Sequence, residues 1–107
     1  MSRRRVILRR EIPADLLDIH DYIAGDSPEA ATRFLESARA TLEELARMPG
    51  LGSPKQFRGK LKGVRSRAVH GFPNHLVYYK PTAAAISVLA ILHGAQNVQR
   101  VLRARRP

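Results

Sequence analysis

Ala83-Ala84-Ala85-Ile86-Ser87-Val88-Leu89-Ala90-Ile91-Leu92 carries no charge and a single polar side chain, and how it is read decides the fold. Successive side chains of an extended chain point to opposite faces. Ile86, Val88, Ala90 and Leu92 would then share one face, with Leu89 and Ile91 on the other. A strand that is apolar on both faces is predicted to be the middle strand of a sheet, covered on both sides. The run is too short to cross a bilayer as a helix, which takes about 20 apolar residues. It stops at His93-Gly94, where polarity returns.

Going backward from this run, Pro81-Thr82 is a turn and His75 to Lys80 a strand, with Leu76 and Tyr78 opposite Val77 and Tyr79. Gly71-Phe72-Pro73-Asn74 reads as a turn. Val64 to His70 alternates as another strand. Short turns join these three strands, so they form an antiparallel meander. Ser53 to Gly63 is a loop with Lys55, Arg58, Lys60 and Lys62. Upstream, Ser27 can cap a helix whose first residue, Pro28, has no N–H to leave unsatisfied. That helix is predicted to run to about Met48, burying Ala31, Phe34, Leu35, Ala38, Leu42 and Leu45. Glu29–Arg33 and Glu43–Arg47 would pair on its wet side. Ile12, Leu16, Ile19 and Ile23 recur at helical spacing, with Asp15, Asp18 and Asp21 on a separate face. The two helices are joined so closely that they must fold back on each other. Arg4 to Arg10 reads as a first strand. Gln96 to Arg105 reads as a short basic helix with Val98, Val101 and Leu102 inside. The predicted class is α+β in one domain, residues 1–107: N-terminal strand, two-helix hairpin, three-stranded antiparallel meander, short C-terminal basic helix or tail.

The charge is placed unevenly. Nineteen basic and nine acidic residues leave a net +10, and all nine acids fall between Glu11 and Glu44. From Leu45 to Pro107 there are twelve Lys or Arg and no acid. Such a half is expected to meet an anionic partner, although a merely soluble basic surface gives the same composition. With no cysteine, disulfides and thiolate zinc sites are excluded. Behind Met1-Ser2-Arg3-Arg4-Arg5 the only apolar run is Val6-Ile7-Leu8, against the 7–15 residues of a secretory signal, so the cytoplasm is the expected location and no membrane partner is expected. Nothing in the sequence calls for a cofactor.

Several short motifs, in order, resemble the RelE/ParE toxin superfamily. They are Asp15-Leu16-Leu17-x-Ile19 with Tyr22-Ile23-Ala24, then Asp26-Ser27-Pro28-x-Ala30-Ala31. Leu45-Ala46-x-Met48-Pro49-x-Leu51-Gly52 and Leu61-x-Gly63-Val64-Arg65 follow. Phe72-Pro73-x-His75-Leu76-Val77-Tyr78-Tyr79 and Ile91-Leu92-His93-Gly94-Ala95 complete the series. The likeness is greater to the ParE branch. It implies a plasmid-stabilisation type toxin that inhibits DNA gyrase by binding, with an indirect contact to DNA. It also implies a cognate ParD-like antitoxin whose acidic C-terminal segment helps neutralise the toxin. The RelE branch instead cleaves mRNA on the ribosome, and a plain nucleic-acid-binding module is a third reading.

Cleavage of RNA by its own 2′-hydroxyl needs a proton acceptor, a proton donor and cations for the phosphate. Cations are present: Lys60, Lys62, Arg65 and Arg67 are expected to converge near the end of the apolar strand, and Arg100, Arg103, Arg105 and Arg106 to add an Arg-rich tail. Imidazole is the side chain suited to proton transfer near neutral pH, which makes His93 a candidate, yet a strand-end histidine bonded to backbone is the simpler reading. Gly94 follows it where RelE-like enzymes generally carry an arginine, no aromatic follows Tyr79, and no Glu follows Glu44. The set for catalysis is incomplete, so no catalytic residue is assigned. Lys60, Lys62, Arg65, Arg67, His93, Arg100 and Arg103 are the candidate target-binding residues. No metal site is assigned. Asp18, His20 and Asp21 do not share a helix face, and His70 and His75, flanking a turn, lack a carboxylate. Phe34, Tyr78 and Tyr22 are assigned to the core, leaving too few aromatics for base stacking.

Overall fold

A computed structural model describes residues 3–105; Arg106 of the predicted tail lies outside them. The elements are β1 (Arg5–Leu8), α1 (Ile12–Ala24), α2 (Pro28–Arg47), β2 (Ser53–Pro54), a 3-10 turn (Gly59–Leu61), β3 (Arg65–Val69), β4 (Phe72–Pro81), β5 (Ala85–His93) and α3 (Val98–Ala104). The five strands form one mixed sheet in the order β1-β5-β4-β3-β2. β3, β4 and β5 are the antiparallel meander, and β1 adds parallel to β5. β5 is paired on both sides, as its apolar faces require, but it is the second strand; β4 holds the middle.

The local signals explain the boundaries. Ser27 accepts the Ala30 N–H at 3.2 Å, and Pro28 opens α2. Asn97 caps α3 in the same way, accepting from the Arg100 N–H at 3.2 Å. The turn between β3 and β4 is tighter than predicted. His70-Gly71 makes it alone, with Gly71 at φ +78°, a conformation open to glycine. Phe72 and Pro73 therefore join β4. The proline is tolerated because β3 skips from Leu76 to Phe72 in register, leaving Pro73 opposite no ladder partner. The basic loop is shorter than predicted too, since Ser53–Pro54 pairs with β3 as β2.

The helix hairpin packs on one face of the sheet. Ile12 and Ile19 of α1 and Phe34, Ala38 and Leu45 of α2 meet Val69, Val77, Tyr79, Ile86, Val88 and Ile91. Burying each large side chain contributes about 1.5–3 kcal/mol. The opposite face holds a smaller cluster in which Leu61, Val64, Tyr78, Ala90 and Leu92 meet Leu102 of α3. Strict alternation along β5 fails at one point. Tyr78 pairs with Ala90 and Tyr79 with Val88, so Leu89 is an extra residue. A bulge of this kind turns two consecutive side chains to one face. Leu89 and Ala90 accordingly both lie on the α3 side, and Ile91 returns to the hairpin side with Ile86 and Val88.

Other expectations are corrected by packing. Leu35 is 39% and Tyr22 76% exposed. Thr41 takes the place expected for an apolar residue: its hydroxyl donates to Ser37 O at 2.7 Å and accepts the His70 N–H at 3.2 Å, so it is buried without an orphan. Glu43 pairs with Arg3 of the N-terminal arm rather than with Arg47, and Glu29 takes no ion pair with Arg33 among the described residues. His70 meets Glu44 at 2.9 Å while His75 faces His93, so the two histidines flanking the turn part company.

Candidate target-binding cleft

The parallel pairing of β1 with β5 ends at Leu8–Val88, closed by the Arg9 N–H donating to Val88 O at 3.1 Å. Beyond that point the edge of β5 faces no strand. Two side chains satisfy it instead. Asp15 of α1 is 7% exposed, and its carboxylate accepts the Ile91 N–H at 3.0 Å. Arg105, just past α3, donates from both terminal nitrogens to the Asp15 carboxylate and from Nη1 to Leu89 O at 3.0 Å. The bond to Asp15 holds the Arg105 guanidinium above its ordinary pKa, against the opposing effect of burial. The sequence places Asp15 with Asp18 and Asp21 on a face apart from the apolar stripe. It is buried because the open strand edge needs an acceptor and a counter-ion there.

This latch holds α3 across the sheet and leaves a cleft of about 700 Å³ between α3, the 3-10 turn and the ends of β1 and β4. Leu61, Leu89 and Leu102 line it, with Arg9, Lys60, Lys80, Arg103 and Arg105 around them. α3 thus covers part of the sheet and frames a pocket with basic walls.

The seven candidate residues do not converge. Lys60 and Arg103 line the cleft. Lys62 and Arg100 are exposed and do not line it. Arg65 and Arg67 pair with Tyr79 and Val77, residues of the hairpin-side core, so they point to that side. There Arg65 Nη2 donates to Gly50 O at 3.3 Å, and Arg67 lies 3.6 Å from Glu44. His93 is also on the hairpin side, its ring 5.4 Å from that of His75, which in turn stacks edge-on against Phe34 at 5.5 Å. Its Nδ1 accepts the Ala95 N–H at 3.0 Å, the backbone-bonded role. Burial, with a smaller effect from His93, pushes the His75 pKa down. Arg9 and Lys80 also line the cleft and are not among the seven. The period-2 pattern places Lys80 with Tyr78 on the α3 side, a signal that was available. Nothing local marks Arg9.

Residues 6–98 match the model of the ParE toxin of the type II toxin–antitoxin system, parDE. The chain belongs to the ParE toxin family. Toxin ParE1 of Caulobacter vibrioides is 29% identical over 93 residues, covering 86% of this chain and 91% of that one. A chain of the chromosomal ParDE TA system from P. aeruginosa superposes with a TM-score of 0.66 at 20% identity, over 84% of this ParE-family chain and 95% of its own length. One from the YoeB–YefM complex of Staphylococcus aureus gives 0.51 at 15% identity, over 86% and 98%. The RelE/ParE-like fold expected from the motifs is the fold observed.

Proposed function

We propose that this ParE-family chain arrests growth by binding a type II topoisomerase, DNA gyrase in the first instance, and holding its cleaved-DNA state, and that a cognate antitoxin neutralises it. The match of residues 6–98 to ParE toxins carries the reading. The geometry supports binding over RNA cleavage. The cleft is lined by Arg, Lys and Leu only, and His93 sits on the opposite side of the sheet with one ring nitrogen engaged. Cations alone stabilise a phosphate but move no proton at neutral pH.

The antitoxin has apolar surface to cover. Leu17 and Tyr22 of α1 are 57% and 76% exposed, and Ile7 and Leu8 stand half-exposed on β1, the edge of the sheet. An unpaired edge invites strand addition, and Arg5 and Arg10 beside it suit an acidic segment. The test is induction of the chain with and without a short acidic protein encoded beside it. Growth arrest with double-strand DNA breaks, relieved by that neighbour, is expected. Intact DNA with new mRNA ends on translating ribosomes would overturn the topoisomerase target in favour of an endoribonuclease.

A further inference from the structure

We propose that the cleft under α3 binds single-stranded nucleic acid, taking phosphates on Lys60, Lys80 and Arg103 and an unpaired base over Leu61, Leu89 and Leu102. The assignment holds whichever enzyme is the target in the cell.

Charge comes first. Five cations surround one cavity and no carboxylate lines it. Two of the five are already committed: Arg105 is bonded to Asp15, and Arg9 lies 3.6 Å from Glu11. Among the described residues the side chains of Lys60 and Lys80 make no ion pair or hydrogen bond, and that of Arg103 bonds only the neutral Gln99, at 3.3 Å. They come from three elements: the 3-10 turn, the end of β4 and α3. Like charges gathered at one concavity repel one another, and an anion relieves that repulsion while water is displaced from the leucines.

Shape and lining choose the anion. A cavity of about 700 Å³ is of the size that encloses a small organic group rather than a bare ion. Its lining combines three leucines with five cations, which suits a ligand with a flat uncharged body and an anionic backbone. A paired base would be hidden inside its duplex, so the strand must be single. No neutral hydrogen-bonding side chain lines the cleft to read a 2′-hydroxyl, so deoxyribo- and ribo-strands should bind alike.

The measurement is fluorescence anisotropy of labelled eight-residue oligo(dT) and oligo(U) on the full chain, across a salt series. For a single strand the slope of log K against log salt is about −0.7 per phosphate neutralised, so three cations predict about −2. Lys60→Gln with Lys80→Gln should bring it toward about −0.7 and weaken binding about 10-fold or more at 0.1 M salt. Arg33→Gln with Arg39→Gln removes the same charge from the exposed face of α2 and should leave affinity within about 2-fold. Melting temperatures verify that both doubles are folded. Equal weakening by the two doubles would mean that overall charge, not the cleft, attracts the strand, and would overturn the proposal. So would an octaglutamate peptide that binds as tightly as the oligonucleotides, or no binding at low salt.

Discussion

At the scale of single residues, the fold leans on a few polar groups placed inside it. Tyr79 is fully buried, and its hydroxyl donates to Pro49 O at 2.7 Å and accepts the Gly52 N–H at 2.8 Å. It pins the segment leaving α2 to the middle of the sheet. Tyr79→Phe strands both backbone groups and should lower stability by about 1–3 kcal/mol, read as a drop in the urea midpoint at unchanged m-value. Gly52 has no room for more: a Cβ there would come 2.5 Å from the Tyr79 oxygen. Gly52→Ala should therefore do at least the same damage, by forcing the ring aside. The Asp15–Arg105 pair is the other such group. Asp15→Ala leaves the guanidinium, 15% exposed, without its partner and Ile91 N–H without an acceptor, a loss of about 3–5 kcal/mol by denaturant titration. His75 sets a pH dependence. Its pKa is lowered in the folded chain, so below the ordinary value of about 6.5 the unfolded chain takes up the proton first. Its contribution to stability is full above that pH and is lost below it, as pH falls through the lowered folded-state value. Comparing urea midpoints at pH 7.5 and 5.5 for the wild type and His75→Gln tests the sign: the substitution should shrink the difference.

At the scale of elements, the two outer packing units differ in how firmly they are held. The hairpin meets the sheet through a large apolar cluster, and Asp15 and Glu44 add polar contacts to β5 and to the β3 end. α3 has seven residues, one buried side chain, Leu102, and a cap. A helix that short is not stable alone, so Asn97 and the latch from Arg105 to Asp15 hold it in place. Asn97→Ala should cost about 1 kcal/mol of local stability. Amide exchange should show it as faster exchange in α3 with β4 and β5 unchanged, and the cleft should loosen with it. The bulge at Leu89 belongs to the same device. It turns Leu89 toward α3 beside Ala90 and sets the edge groups of Leu89 and Ile91 where Asp15 and Arg105 reach them.

At the scale of the whole molecule, a net charge of +10 is divided between two roles. Some cations pair with the chain's own carboxylates, Arg105 in a buried site and Arg67 and Arg3 nearer the surface. Others, Lys60 and Lys80 above all, are left facing the cleft. Much was legible in the sequence. The helix hairpin, its Ser27 cap, the meander and the apolar strand all follow from local period and turn chemistry, because these depend on neighbours a few residues away. The motifs quoted from Asp15 to Ala95 place the chain among RelE/ParE toxins for the same reason: each piece is local. What local pattern does not contain is which distant residues share a face of the sheet. Arg65 and Arg67 alternate correctly, yet only pairing with Val77 and Tyr79 shows that they point away from the cleft. Arg9, Lys80 and Arg103 are separated by tens of residues and meet only because β1 and β4 flank β5 and α3 closes over them. Asp15 reads as one of three acids spaced along a face apart from the apolar stripe, and only an unpartnered strand edge above it makes it the buried one. Burial and charge pairing are decided by whichever surfaces the tertiary structure brings together, whereas helix, strand and turn are chosen by the chain's own neighbours.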